Sequence, residues 1–209
     1  MKVAICAYGA GNVRSVELAL QRLGAQTELA EDAQSVLDAD LAVLPGVGAA
    51  GTAMAGLQAR GLDDALRERV AAGRPVLGIC LGLQLALDES EEDGGVPGLG
   101  LVPGRAVRLR EGRVPRIGWA EVEPGGETYW FAHSYAAETG AAVATSEGIV
   151  AIVESGSFVG VQFHPEKSGA AGARFLAAVL KDLGRVDRSF PTDARAKPVR
   201  PGGGAASGA

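Results

Sequence analysis

The chain has 209 residues, 47% of them hydrophobic, and a net charge of −5. This length and apolar content suffice for one domain with a buried core, and the negative charge argues against a nucleic-acid partner held through its phosphates. The two cysteines, Cys6 and Cys80, are too few for a disulfide framework, so we expect a reduced, cytoplasmic protein.

The first half of the chain alternates short apolar runs with helical patterns. Strands are predicted at 2–7, 26–29, 41–44 and 75–79, and helices at 13–23 and 62–72. Asn12 can cap the first helix, and Gly24 ends it. Residues 41–59 carry no charge, but one proline and several glycines interrupt them. We therefore expect a buried strand, a loop and a short helix there, and no membrane span.

The second half is richer in closely spaced strands. They are predicted at 105–109, 119–122, 129–132, 142–145, 149–153 and 158–163, with a hairpin turn at Ser155 and Gly156 and a last helix at 170–183. The sequence thus predicts an α/β fold with a doubly wound, mostly parallel sheet and an added antiparallel section. Residues 185–209 lose the apolar pattern, so we expect one domain over 1–184 and a disordered tail.

A cysteine lies at a predicted corner between a strand and a helix, in Gly78-Ile79-Cys80-Leu81-Gly82. Small residues on both sides of a nucleophile suit such an elbow, which exposes the side chain at the start of a helix. His164 can act as its base, and Glu166 can orient that histidine. Cys6, inside the first strand, is expected to be buried and inert.

A glycine loop, residues 45–48 (Pro45-Gly46-Val47-Gly48), allows two interpretations. Together with Gly51 it matches the dinucleotide-binding pattern G-x-G-x-x-G. That pattern also needs an acidic residue at a strand end about 20 residues on, but the acidic residues in that range fall in a predicted helix. We favour a loop that offers backbone N–H groups to an oxyanion.

Two other groups of residues carry weaker signals. His133 competes with His164 as the base, but it has no carboxylate two residues away, so we expect it to line the site. The acidic run at 89–93 is typical of a solvated helix end, although one acid could hold a cationic substrate group. No Cys/His cluster has metal-ligand spacing, so we expect no metal and no cofactor.

Three of these segments together resemble the class I (triad) glutamine amidotransferases, whose signatures occur in the same order. They are residues 78–84, 45–48 and Phe163-His164-Pro165-Glu166. Five further segments resemble those of the glutaminase subunits of imidazole glycerol phosphate synthases. They are Tyr8-Gly9-Ala10-Gly11-Asn12, Ser90-Glu91-Glu92, Val114-Pro115-Arg116-Ile117-Gly118-Trp119, His133-Ser134-Tyr135 and Glu166-Lys167-Ser168. The resemblance covers residues 1–183. It departs from the family at Arg116, which is usually His, and at Ala120, which is usually Asn.

The resemblance implies a class I amidotransferase fold of the flavodoxin-like kind, and glutamine hydrolysis to glutamate and ammonia. Cys80 would be the nucleophile, His164 the proton shuttle and Glu166 its orienter. The family positions for the other roles fall on the following residues. Gly46, Val47, Gly48 and Leu81 would form the oxyanion hole, Gln84, Glu92, Ser134 and Tyr135 would hold glutamine, and Asn12, Trp119 and Lys167 would contact a partner.

That partner would be the cyclase subunit, a (β/α)₈ barrel that uses the ammonia to make imidazole glycerol phosphate and an aminoimidazole carboxamide ribonucleotide in histidine biosynthesis. The family also implies low activity without the partner. Three alternatives stay open at this point. They are a glutaminase that serves another synthase, a cysteine hydrolase of related fold that acts alone, and a non-catalytic module that binds through its glycine loops.

Overall fold

The computed structural model describes residues 1–9 and 12–182, so the predicted tail at 185–209 lies outside the described residues. The elements follow in chain order as β1 (Lys2–Cys6), α1 (Val13–Arg22), β2 (Gln26–Ala30), α2 (Ala33–Asp38), β3 (Leu41–Leu44), α3 (Ala50–Gln58), α4 (Leu62–Ala71), β4 (Val76–Ile79), α5 (Leu81–Ala86), β5 (Glu89–Ser90), β6 (Val96–Pro97), β7 (Arg105–Arg108), β8 (Arg116–Val122), β9 (Glu127–His133), β10 (Tyr135–Glu138), β11 (Ala142–Ser146), β12 (Ile149–Ser155), β13 (Phe158–Val161) and α6 (Gly169–Asp182).

A seven-stranded sheet forms the centre of the molecule, in the order β11-β12-β13-β4-β3-β1-β2. The strands from β13 to β2 run parallel, whereas β11 and β12 add an antiparallel edge. A four-stranded sheet (β10-β7-β5-β6) and the two-stranded ribbon β8–β9 complete the fold. The predicted α/β class, with its mostly parallel sheet and antiparallel section, is confirmed.

Helices cover both faces of the central sheet because its strands are apolar on both sides. Alternate residues of β1 face opposite cores: Ala4 and Cys6 belong to the core under α2–α5, and Val3 and Ile5 to the core under α1 and α6. This alternation follows from the two-residue period of a strand. None of the helices within the described ranges has the length and apolar character to span a bilayer.

The sheet order brings three chain segments to one edge. Strands β3, β4 and β13 are neighbours, and all three run in the same direction. Their carboxyl ends therefore meet at the same edge, the usual place for a site in a parallel sheet. The glycine loop follows β3, Cys80 follows β4, and His164 follows β13.

Candidate active site

Cys80 occupies a sharp corner between β4 and α5. Its backbone has φ 54° and ψ −107°, a conformation that a side chain rarely adopts, and its N–H donates to the Val161 carbonyl at 2.7 Å. Glycine is required on both sides of Cys80 because other segments of the chain approach closely there. A Cβ at Gly82 would lie 1.8 Å from the Leu44 carbonyl oxygen, and one at Gly78 would lie 2.7 Å from Phe158. The elbow expected from the sequence is therefore present.

His164 and Glu166 meet as the sequence predicts. The Nδ1 of His164 lies 2.8 Å from Oε1 of Glu166, and the two side chains are 2% and 0% exposed. The N–H of His164 donates to the Trp130 carbonyl at 2.8 Å, so β9 fixes the histidine backbone as well. A buried imidazole with a carboxylate on one nitrogen has its ring orientation and tautomer set by that contact.

The protonation of His164 is governed by its two neighbours. Burial by itself lowers its pKa, but hydrogen bonding with Cys80 and with Glu166, together with the charges of both groups, outweighs burial and raises it to about 9. This raised pKa favours the imidazolium form of the ring at neutral pH, the form that can donate a proton.

Two further side chains contact the triad, and the sequence did not reveal these roles. Nε2 of Gln162 lies 3.6 Å from the Cys80 sulfur, and Gln162 is fully buried. Nδ2 of Asn12 donates to Oε1 of Glu166 at 2.6 Å. Asn12 occupies the N-cap position of α1, as predicted, but its side chain makes no capping hydrogen bond to the helix. The only sequence signal for the contact of Gln162 was its position two residues before His164, within the predicted strand 158–163, whereas β13 ends at Val161.

The glycine loop lies against the elbow. A Cβ on Gly46 would come within 2.7 Å of the Leu81 Cβ, so only glycine allows this approach. Among the residues that the structure describes, the N–H groups of Gly46, Val47 and Gly48 have no hydrogen-bond acceptor. Leu81 begins α5, where an N–H has no acceptor within its own helix. These four N–H groups thus have no acceptor within the described chain, and Val47, Gly48 and Leu81 line the same cleft as Cys80.

The dinucleotide interpretation of this loop is disfavoured by what occupies the next helix. The carboxylate of Glu92 accepts the Ala50 N–H at 2.8 Å, and that of Asp93 accepts the Gly51 N–H at 3.2 Å. These are the N–H groups at the start of α3, where a pyrophosphate would have to bind. Two carboxylates therefore fill the position that the phosphates would need.

A cleft of about 220 Å³ opens over Cys80 and collects most of the predicted site residues. Its walls are formed by Val47, Gly48, Cys80, Leu81, Gln84, Glu92, Pro115, Ile117, Ala132, His133, Ser134 and Tyr135. Gly46 is not part of the wall, since it packs against Leu81 and the Tyr8 hydroxyl. Nε2 of Gln84 donates to the Tyr135 carbonyl at 2.8 Å and to Oε1 of Gln162 at 3.1 Å. Gln84 therefore links the cleft wall at Tyr135 to Gln162, the residue that contacts the Cys80 sulfur.

His133 lines this cleft, as expected, and differs from His164 in its chemistry. Its Nδ1 donates to the Tyr135 carbonyl at 2.9 Å. Burial above all lowers its pKa to about 4, and the charges of Arg116 and His164 act in the same direction. His133 is thus neutral at pH 7 and has no carboxylate to orient it, which leaves His164 as the base.

The predicted contact residues differ in exposure and in where their side chains lie. Trp119 is 56% exposed and packs edge-on against Trp130, and neighbouring Ile117 is 61% exposed. Lys167 is exposed directly after Glu166, whereas the Asn12 side chain points at the triad. Large exposed apolar side chains on one ribbon are typical of a protein-binding surface.

Arg116, one of the two departures from the family pattern, is held on the ribbon β8–β9. Its guanidinium stacks over Phe131 at 4.3 Å and donates to Ser146 and Glu147 at 2.8 and 2.9 Å. The Arg116 guanidinium is therefore accommodated by Phe131 on β9, by Ser146 at the end of β11 and by Glu147 directly after it. Nothing in the structure explains Ala120, the second departure.

Comparison with known proteins shows that this chain is similar to glutamine amidotransferases. Residues 5–182 match the family described as Glutamine amidotransferase class-I. The chain is 46% identical over 194 residues to the imidazole glycerol phosphate synthase subunit HisH of Symbiobacterium thermophilum, covering 84% of this chain and 92% of the relative. The corresponding subunit of Moorella thermoacetica is 43% identical over 204 residues, covering 89% and 95%. A crystal structure of a glutamine amidotransferase superposes with a TM-score of 0.74 at 22% identity, covering 88% of this chain and 99% of the other.

Proposed function

This chain belongs to the class I glutamine amidotransferase family, and from that premise we propose that it is the glutaminase subunit of an imidazole glycerol phosphate synthase. It hydrolyses glutamine to glutamate and ammonia and delivers the ammonia to a cyclase subunit. The observation that carries the site assignment is the cluster of Cys80, His164 and Glu166 at the meeting point of β4 and β13. A reduced thiol at this position suits the cytoplasm, where we place the protein.

The triad supports a two-step acyl transfer. The Cys80 thiolate attacks the side-chain carbonyl carbon of glutamine, and the carbonyl π electrons move to oxygen. The tetrahedral intermediate collapses, the C–N bond breaks, and the imidazolium of His164 gives its proton to the leaving nitrogen, so ammonia departs. Water then attacks the thioester while neutral His164 accepts its proton, and the C–S bond breaks to release glutamate and restore the ion pair.

The oxyanion of each intermediate would be stabilised by backbone N–H groups. The unpaired N–H groups of Gly46, Val47, Gly48 and Leu81 support this role, since they lie on the loop and helix start that border Cys80. A single donor of this kind contributes about 10²–10³-fold to the rate. The cleft residues Gln84, Glu92, Ser134 and Tyr135 would hold the rest of the substrate, and the carboxylate of Glu92 offers a partner for its α-amino group.

The cyclase subunit, a (β/α)₈ barrel, would cover the exposed ribbon that carries Ile117 and Trp119, with Asn12 and Lys167 at the edge of the contact. An apolar surface beside the cleft mouth supports this placement, because ammonia released at Cys80 must reach the partner without meeting bulk water. The cyclase combines that ammonia with a phosphoribosyl-formimino carboxamide. The products are imidazole glycerol phosphate and an aminoimidazole carboxamide ribonucleotide.

The test is glutamate formation by the purified chain, alone and with the cyclase loaded with its nucleotide substrate. We expect stimulated turnover in the complex, and a loss of more than about 10³-fold in Cys80→Ser because the nucleophile is removed. Cys6→Ala is the matched control, since Cys6 is buried in β1 and should leave turnover intact. Full turnover by Cys80→Ser would refute the triad, and peptide cleavage without a partner would point to a hydrolase that acts alone.

A further inference from the structure

Tyr8, at the end of β1, contacts the glycine loop from inside the protein. Its side chain is buried, with the residue only 3% exposed, and its hydroxyl donates to the Pro45 carbonyl. A Cβ on Gly46 would lie 2.9 Å from the same hydroxyl oxygen, so the loop rests directly on the phenol. Burial raises the pKa of Tyr8 well above its ordinary value, and the hydroxyl therefore stays protonated as a donor.

Tyr8 is itself held in place by the helix that follows the loop. At Gly56 of α3 a Cβ would lie 2.2 Å from the Tyr8 carbonyl oxygen, so helix and strand end are in direct contact. The far end of the loop is fixed too, because Glu92 accepts the Ala50 N–H at 2.8 Å. Between these two attachments, the N–H groups of Gly46, Val47 and Gly48 have no acceptor among the described residues.

The attachment at Pro45 sets the direction of the next peptide. In a trans peptide the C=O and N–H point in opposite directions, so a donor on the Pro45 carbonyl orients the Gly46 N–H away from Tyr8. Gly48 has φ +111° and no atom near the position of a Cβ, and a glycine can adopt either sign of φ, so the peptide before it can change direction at little steric cost. The loop is thus anchored at its first residue and adjustable near its last.

We propose that Tyr8 is a positioning residue for the oxyanion loop: its hydroxyl fixes the Pro45–Gly46 peptide, including the Gly46 N–H, and thereby confines any reorientation to the Val47 and Gly48 amides. The proposal rests on the glutaminase function proposed above. Tyr8 contacts neither glutamine nor the reacting atoms, so it acts on the chemical step only through the donors that receive the developing negative charge. Removal of the Tyr8 hydroxyl should therefore lower kcat and leave glutamine binding and the reactivity of the Cys80 thiolate unchanged.

The test compares Tyr8→Phe with the control Tyr129→Phe. Both keep a buried ring and lose one hydroxyl, but Tyr129 lies on β9 and stacks on Phe163, away from the loop. For each variant, kcat and KM for glutamine are measured in the complex with the loaded cyclase. The rate at which iodoacetamide alkylates Cys80 is measured on the chain, with the modified cysteine identified by mass spectrometry. Iodoacetamide reacts by displacement of iodide and forms no oxyanion, so it reports the thiolate alone.

Misplacement of one oxyanion donor should lower kcat by about tenfold, less than the ~10²–10³ lost when such a donor is removed. KM and the alkylation rate should stay within about twofold of the wild type, because binding and the thiolate are untouched. An unchanged kcat would overturn the proposal, as would a parallel fall in kcat and alkylation, which would indicate a disturbed triad or fold. Absence of glutamine hydrolysis by the wild-type complex would instead reject the glutaminase function, whatever Tyr8 does.

Discussion

The triad and the glycine loop border the same cleft, yet they are held to very different degrees. Most polar groups of the triad have a partner within the chain: the Cys80 N–H, the His164 ring and Oε1 of Glu166 make hydrogen bonds, and only Oε2 of Glu166 has none among the described residues. The loop is attached only at its ends, through Pro45 and Ala50. Of the described residues, three consecutive loop amides have no acceptor at all.

This difference indicates where control over the reaction resides. In the chain alone Cys80 and His164 already interact through a hydrogen bond, whereas the amides of the glycine loop have no acceptor among the described residues. Under the function proposed above, a partner that docks on the exposed ribbon beside the cleft would raise turnover by fixing these amides, with the triad unchanged.

The largest expected effect separates the two regions directly. Binding of the loaded cyclase should raise glutamine turnover by about 10²–10³-fold, the effect of one oxyanion donor. The rate of iodoacetamide alkylation at Cys80 should change by no more than about threefold, because the triad is built before the partner arrives. Kinetics of both reactions, with and without the cyclase, provide the measurement. A rise in alkylation that matched the rise in turnover would show that the partner assembles the triad instead.

Glu166→Gln disturbs the triad and should act whether or not the partner is present. Loss of the carboxylate's charge should lower kcat by about 10²-fold, less than the ~10⁴ seen in a serine triad because the imidazolium already exists here. Glu166 is one of the groups that raise the pKa of His164 to about 9, so its neutralisation lowers that pKa.

The pH dependence of kcat/KM tests this lowering of the pKa of His164. Wild-type kcat/KM should fall above pH 9 as His164 loses its proton, and in Glu166→Gln this alkaline fall should begin at lower pH. The neighbouring exposed Lys167→Gln serves as the control in the chain alone, where its alkylation profile should match the wild type. An alkaline limb that stays in place in Glu166→Gln would argue against Glu166 as the group that orients His164.

Asn12→Ala should have the smallest effect, because His164 still holds Glu166 when the amide is gone. Hydrogen bonds to charged groups contribute about 1.5–3 kcal/mol to stability, of which we expect about 1 kcal/mol in the barrier, or roughly a fivefold lower kcat. KM for glutamine should not change, and Ser15→Ala, exposed in the first turn of the same helix, should behave like the wild type. A higher KM with an unchanged kcat would place Asn12 in substrate binding.

The sequence predicted much of the fold because its strands are either fully buried or clearly alternating. β3 and β4 appear as uninterrupted apolar runs, and the elbow glycines mark the turn after β4. The helix α2 and the short strands β5, β6 and β10 were missed. A six-residue helix and two-residue strands carry too few residues for a periodic signal, and tertiary contacts decide whether they form.

The candidate site shows the same division. Cys80, His164 and Glu166 could be identified because a nucleophile at an elbow and a histidine with a nearby acid have local sequence patterns. Asn12 looked like a helix cap, which is the common local role of asparagine, and Gln162 looked like an ordinary strand residue. Their actual partners are 154 and 82 positions away in the chain, and no local pattern reports contacts at such separations.

The local sequence patterns thus indicate the chemistry: which residues could be nucleophile, base and orienter, and which glycines their geometry needs. How firmly each part is held depends on contacts that form only in the folded chain. The order of strands in the sheet places the ends of β3, β4 and β13 side by side, and the side chains of Tyr8, Asn12 and Gln162 then reach across from other segments. Hydrogen bonds between distant segments depend on packing of the whole chain, so they exist only once the fold has formed.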